Sequence, residues 1–478
     1  TLVAGAGLQI VGSTISLSAP NATPNWLNVK NFGAKGDSQS VTDAVMSSTH
    51  TVTSASANFL PADVGKVCYG VYSPDGTLRC PQGFITGVVS AHVVTVSTTV
   101  SASGVQCNFV WGTDDTAALK ATWQAAIAAA NTITGGLGGM QNVYVPTGGY
   151  IFSYLPFASP SKAPGPSLLG DGVSKTVFYT TPNYNFVSGG YTADGGMLLT
   201  SYDGGSGSEV ANFSFWGANL EFEVGGALSG SVIDVSGVPY VHNIHVSTLG
   251  KGGGSSANIG GIYAAEGATG VWSDVNTVGI NGAGQGIYIN NCAANCLMLN
   301  CGTSNGGAWL INNVNGGQSY LNQGSGLTIV GILNDESNGG ISFVNSSRCQ
   351  IIGCSLFGNA GSLPLSIDGT SDVVVLGSNI GTYSYDGSCI AVKVAAGGIL
   401  RLGSTSIYSQ GVSGSAIALI NAGTIFDLGG NTIASMTNTG TIQQGTYSNT
   451  AMTAGAIAGY TYDVVNGTLQ KRAFYALS

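Results

Sequence analysis

Charge is what this sequence has least of. Only 7% of its 478 residues are Asp, Glu, Lys or Arg, there are four histidines, and the formal net charge is −9. A charge-poor, negative chain lacks the basic stripe that nucleic acid requires, so no nucleic-acid partner is expected. Apolar runs long enough to span a bilayer are also missing, which argues against membrane insertion. No P-loop, nucleophile elbow, zincin helix or dinucleotide fingerprint occurs in a supporting context. The nine cysteines do not have zinc-site spacing. No metal and no cofactor are therefore expected.

What the chain does have is glycine, 75 residues of it, beside a hydrophobic fraction of 44%, which is that of a folded protein. Glycine, serine, asparagine and threonine carry the polar surface. A stacked β-solenoid fits this composition, because its turns need glycine and asparagine while its short strands need little charge. Cys296 and Cys301 recur as Cys349 and Cys354, both displaced by 53 residues. Equal displacement places them at equivalent stacked positions, read as buried thiols. Cys68, Cys80 and Cys107 lie elsewhere, where one disulfide fits.

A split signature organises the chain. Its first half, Asn28 to Asp37, reads NVKNFGAKGD, and its second, Thr113 to Phe152, begins TDDTAALKATWQAAI and closes GGMQNVYVPTGGYIF. Thr113 or Asp114 can cap a helix, and Ala117, Ala118, Ala121, Ala125, Ala126 and Ile127 give it one small apolar face. Glycines 135, 136, 138 and 139 stop it, and Val143–Val145 reads as a short strand. In order, these segments resemble the N-terminal signature of pectate-lyase-like proteins. That resemblance implies an all-β right-handed parallel β-helix with an N-terminal capping helix. Phage tailspikes and secreted polysaccharide-degrading enzymes share it. Here, residues 38–112 separate the two halves, which usually lie within a few residues of one another.

This gives four expected parts. Residues 1–27 form a leader or attachment segment, in which Leu8, Ile10, Ile15 and Leu17 suggest two tiny strands resembling those of phage tail fibres. Residues 28–165 form the cap, with a small inserted β-domain at 38–112 for packing, trimer contact or glycan binding. Residues 166–435 form the β-helix, and 436–478 a C-terminal cap or subunit contact. Apolar alternation starts at Ile341, Leu365, Ile390 and Ile417, in steps of 24, 25 and 27 residues, the size of one three-stranded turn. Each is followed by a second strand ending in Gly353, Gly377, Gly403 or Gly429. Asn290, Asn312, Asn345 and Asn421 read as stacked corner residues.

With charge so scarce, the remaining acids are informative. In LEFEV (220–224), alternation turns Leu220, Phe222 and Val224 inward and Glu221 and Glu223 outward. Their Cα atoms would lie roughly 6.5–7 Å apart, between the spacings of retaining and inverting glycosidase pairs. The same alternation places His245 outward in VHNIHV, and Trp272, Asp274 and Asn276 outward in VWSDVN. If 223, 245 and 274 stack, acid, histidine and acid share a groove with an aromatic platform and can supply donor, base and orientation. Asp234 reads as outward in the same groove or its neighbour, and Asp335-Glu336 as a solvated loop. Trp216, Trp272 and Trp309 are candidates for stacking on sugar rings. The candidate catalytic set is thus Glu221, Glu223, His245, Asp274 and Asp234, with Trp216, Trp272 and Asn276 binding substrate.

The resulting expectation is a β-helix enzyme hydrolysing a neutral or weakly charged polysaccharide by carboxylate acid/base catalysis. By resemblance it looks like a homotrimeric tailspike depolymerase, extracellular or borne on a virion. The start, Thr1-Leu2-Val3-Ala4-Gly5, lacks signal-peptide features: either these were removed or, as in a virion protein, none was needed. The alternatives are a non-catalytic glycan-binding or structural tail protein and a polysaccharide lyase. Only two arginines, Arg348 and Arg401, fall in the proposed rungs, which disfavours anionic uronate substrates and the lyase.

Overall fold

The computed structural model describes residues 8–11, 14–17, 26–71, 78–100, 104, 106–130, 142–153, 155–158, 166–181, 197–200, 209–218, 231–234, 240–249, 260–265, 270–278, 285–290, 296–304, 308–312, 326–337, 340–358, 363–384, 390–411, 417–444, 457–465 and 468–475. Most of them belong to a parallel β-solenoid. One set of strands, Leu155–Ala158, Met197–Thr200, Ser231–Asp234 and onward to Met436–Asn438, stacks as an 11-stranded parallel sheet. The other two strands of each turn join around a corner into a continuous 21-stranded arrangement.

That corner is made by one residue. Asn212, Asn243, Asp274 and Asn300 have φ of 66°, 50°, 54° and 50°, and Gly331, Gly353, Gly377 and Ser404 continue the column at 67°, 60°, 58° and 50°. Left-handed backbone suits glycine, and asparagine or aspartate next. Its amide stays paired: Asn300, Gly331, Gly353, Gly377 and Ser404 donate to Val330, Ile352, Leu376, Gly403 and Gly429 carbonyls at 2.8–3.1 Å. The side chains stack too, with Asn243 Nδ2 donating to Asn212 Oδ1 (2.8 Å) and Asn300 Nδ2 to Asp274 Oδ1 (2.6 Å).

The corner also resets side-chain alternation. Residues two before and one after it both point inward: Val241 and Ile244, Trp272 and Val275, Met298 and Cys301, Ile351 and Cys354, all at most 1% exposed. Simple alternation put Val271 and Ser273 inside and Trp272 outside. The structure reverses this and buries Trp272 in the main core. Ile244, Ile341, Val375 and Leu402 face the core and are buried, while Phe222, expected inward, lies outside the described residues. The later register also differs: Leu365 pairs with Val392, and Leu400 with Ile425. A one-residue slip exchanges faces, so Ile425 is inside and Phe426 lies under the Arg401 guanidinium at 4.5 Å.

Parallel pairing extends beyond 166–435 at both ends. Asn142–Val145 already pairs with Trp26–Asn28, and Thr441–Gln444 with Thr424–Asp427. The Thr116–Ala130 helix sends Leu119, Trp123 and Ala126 into the core that holds Val29 and Val143. Between the signature halves, strands from Gln39–Ser48 to Gln106–Gly112 close a barrel. Its Val67, Tyr69, Val71 and Val110 pack on Ile151 and Tyr179 of the solenoid's outer face. Leu8–Val11 pairs antiparallel with Thr14–Leu17, and Ile457–Val465 with Thr468–Tyr475. Cys68, Cys80, Cys107, Cys296, Cys301, Cys349 and Cys354 are buried and not joined in disulfides, so the one allowed for among the first three is not formed.

The signature acids hold the two halves together. Asp37 accepts from Thr113 N (2.9 Å) and Oγ1 (3.1 Å) and pairs with Lys66 (2.8 Å), which also reaches Asp63 (2.9 Å). Burial alone would raise the Asp37 carboxyl, but Lys66 and Thr113 together hold it below the usual aspartate range. Asp115 accepts from the Lys35 and Gly36 amides at 2.7 and 3.1 Å. Burial outweighs those bonds and pushes its pKa up to about 6.

Two outcomes follow. Gly377 has open space where a Cβ would stand, so Gly377→Val is strained only by its backbone and should cost about 1–2 kcal/mol, with Gly377→Asn costing less; denaturant unfolding measures both. For Asp115, the folded state holds its proton to higher pH than the unfolded chain, whose aspartates titrate near 3.8. Its contribution to stability therefore falls as pH rises from about 4 through 6. Thermal unfolding across that window should show wild type losing ground against Asp115→Asn as pH rises; an unchanged difference would refute the assignment.

Candidate functional site

The outward face just after the corner carries one row of interest. Ser214, His245 and Asn276 are register partners on three successive turns, the last two made by the Tyr240–Leu249 and Gly270–Val278 strands. Strands in neighbouring turns lie about 4.8 Å apart. Trp216 stands two residues beyond Ser214 on the same face, half-buried at the edge of the barrel contact, with its ring 6.5 Å from that of Tyr179. Tyr179 in turn bonds the Ser40 hydroxyl of the barrel at 3.2 Å. Burial lowers the His245 pKa below that of an ordinary histidine, so the ring is neutral at pH 7 and can give or take one proton. His245 and Asn276 are thus register neighbours, and Trp216 lies two residues along the same face on the turn before His245.

Other expected members lie elsewhere. Asp274 is not beside His245: it stands at the corner, exposed, in the position of Asn243 one turn earlier, and accepts from Asn300. Trp272, expected to stack on sugar, is core. Asp234 ends a strand of the 11-stranded sheet, in register with Leu198 and Tyr263, on a different sheet from His245. Glu221 and Glu223 lie outside the described residues, three and five positions after the end of the Trp216 strand Glu209–Ala218. Asp335 and Glu336 belong to the strand Leu333–Ser337 rather than a loop.

Sequence reasoning passed over a pair before the corner. His242 Nε2 meets Glu209 Oε1 at 2.5 Å, with side chains 35% and 38% exposed. Glu209 is in register with Tyr240, itself 48% exposed, and His242 with Ser273. The pair is 33 residues apart in the chain, one 31-residue turn plus a diagonal step of two. Only a known turn length would have revealed it.

Among the described residues no cluster of three or more His, Cys, Asp or Glu could hold a metal ion, and no helix is long and apolar enough to cross a membrane. No protein-family model matches the chain, and no curated protein matches it. Solved structures that it resembles include the A-module of a mannuronan C-5 epimerase from Azotobacter vinelandii (14% identity, 70% of this chain and 96% of that one, TM-score 0.33). Another is the catalytic unit of a thermostable GH87 alpha-1,3-glucanase from Streptomyces thermodiastaticus (11%, 87% and 98%, TM-score 0.34). A third is the tailspike protein of Pseudomonas phage LKA1 (10%, 85% and 61%, TM-score 0.25). At these scores the likenesses carry no inference about reaction or substrate.

The two tryptophans give a direct check. Removing a core Trp costs about 3–5 kcal/mol, so Trp272→Ala should approach that loss while Trp216→Ala, half in solvent, loses less than half as much. Equal losses in chemical denaturation would contradict the inward and outward assignment.

Proposed function

We propose that this protein binds and hydrolyses a neutral or weakly charged polysaccharide on the outer face of its solenoid. The observation that supports the reading is that half-buried Trp216, His245 and Asn276 stand on the same outward face of three successive turns. An aromatic face takes the CH side of a sugar ring. The Asn276 amide and the neutral His245 ring offer both a donor and an acceptor to sugar hydroxyls. A surface with so few charges favours such uncharged contacts.

Glycosidic hydrolysis needs a proton donor and a carboxylate base or nucleophile. Glu221 and Glu223 remain the proposed pair, entering just after the strand that carries Trp216. Asp274 and Asp234 drop to secondary candidates because of their positions at the corner and on the other sheet. In this reading the Thr116–Ala130 helix caps the solenoid core, the barrel of 38–112 walls one side of the binding face, and the chain before Trp26 and after Gln444 serves attachment, end-capping or subunit contact. The assembly would be a tailspike-like homotrimer, extracellular or virion-borne. The engagement of Asp274 by Asn300, which keeps that acid away from His245, favours one second reading: the same face binding glycan without cleaving it.

The test is a screen of capsular and cell-wall polysaccharides with mass analysis of products. Fragments carrying added water indicate hydrolysis, and binding with no fragments supports the second reading. On a digested polysaccharide, Glu221→Gln or Glu223→Gln should slow turnover about 10²–10⁴-fold, and Trp216→Ala should chiefly raise KM. Full activity in both glutamate variants would remove the carboxylate assignment.

A further inference from the structure

We infer that Ser273, His242 and Glu209 form a nucleophile–base–carboxylate triad that hydrolyses esters, its substrate an acyl group carried on a sugar hydroxyl. The three residues stand on the outer face of three successive turns, just before the left-handed corner. The Glu209–His242 contact is already made at 2.5 Å. His242 and Ser273 are register partners, so their backbones lie about 4.8 Å apart. The inward neighbours Val241 and Trp272, at 0% and 1% exposure, fix His242 and Ser273 on the opposite side. Asn243 and Asp274, the residues immediately following, are each tied by a corner hydrogen bond. Paired strands with locked neighbours are the support that a reacting group needs.

The chemistry follows from the ring. With Nε2–H donated to Glu209, the Nδ1 lone pair is the base. It takes the Ser273 hydroxyl proton as Oγ attacks the acyl carbon. The tetrahedral intermediate then expels the sugar oxygen, which leaves with the proton held on Nδ1. Water, deprotonated by Nδ1 in the same way, releases the carboxylic acid and restores the serine. No co-reactant beyond water is used. Such triads are recognised by geometry and role rather than chain order. Tyr240, 48% exposed and in register with Glu209, offers an aromatic face to the sugar bearing the ester. That last element rests on the polysaccharide reading, whereas the triad does not.

The experiment treats the full chain with a fluorophosphonate probe, identifies the labelled peptide by mass spectrometry, and follows p-nitrophenyl acetate hydrolysis. The expected result is an adduct on Ser273, lost in Ser273→Ala and reduced at least about 10²-fold in rate in His242→Gln. Ester hydrolysis should fall in parallel, while the thermal unfolding of both variants stays that of wild type. An unlabelled Ser273, or hydrolysis unchanged in Ser273→Ala, overturns the triad. With glucose pentaacetate as substrate, Tyr240→Ala should raise KM severalfold and leave p-nitrophenyl acetate unaffected. If neither substrate responds to Tyr240→Ala, the triad stands and the sugar assignment falls.

Discussion

Each turn of the solenoid has to bend between two sheets without opening a loop, and one residue in left-handed conformation does it. The rest of the structure is consistent with that bend. Because the corner amide donates to the next turn, the hydrogen-bond ladder runs through the corner unbroken, as from Gly353 to Leu376. Two sheets that would otherwise be separate ladders are thereby joined end to end into one continuous hydrogen-bonded surface. The corner also decides what is core. By bringing both flanking strands inward at positions two before and one after it, it packs Ile351 and Cys354, or Trp272 and Val275, around one interior.

A second constraint acts at the N-terminal end, where the chain leaves the solenoid at Asp37 and returns at Thr113. Closing so long an excursion has an entropic cost that rises only slowly with length, so a compact barrel can occupy it if its ends are held. Asp37 on the Thr113 amide and hydroxyl, and Asp115 on the Lys35 and Gly36 amides, hold them from both sides. Lys66 ties the barrel into the same network through Asp37 and Asp63. This is why a signature divided by 75 intervening residues keeps its meaning: each half's aspartate accepts hydrogen bonds from the other half in space.

That division explains what could be read from the sequence. The alternating apolar strands at Ile341 and Leu365 identified the solenoid because a two-residue period survives within any one strand. Trp272 was misplaced because the period does not survive the corner, and an aspartate at 274 hides the corner better than Gly353 or Gly377 does. Phe426 was misregistered by one residue because Leu428 and Gly429 imitate the Leu402-Gly403 ending one turn earlier. His245 and Asn276 were found since both follow their corner by two residues and share a face. Glu209 and His242 were missed since their contact spans a turn whose length, 31 residues, is not that of the later turns.

The composition of the corner column also changes along the axis. Asparagine and aspartate hold it from Asn212 to Asn300, and glycine from Gly331 to Gly377. Both satisfy the same dihedral angle, so conformation alone does not select between them. The amide side chains add hydrogen bonds from one turn to the next, at 2.8 Å between Asn243 and Asn212 and 2.6 Å between Asn300 and Asp274, which glycine cannot supply. Those bonds tie the Asn212 turn to the Asn243 turn and the Asp274 turn to the Asn300 turn. Between Asn243 and Asp274, where His242 faces Ser273 and His245 faces Asn276, the backbone ladder holds the spacing, as it does at the glycine corners. The side-chain ladder therefore belongs to the early turns, where it adds turn-to-turn bonds that the bend itself does not require.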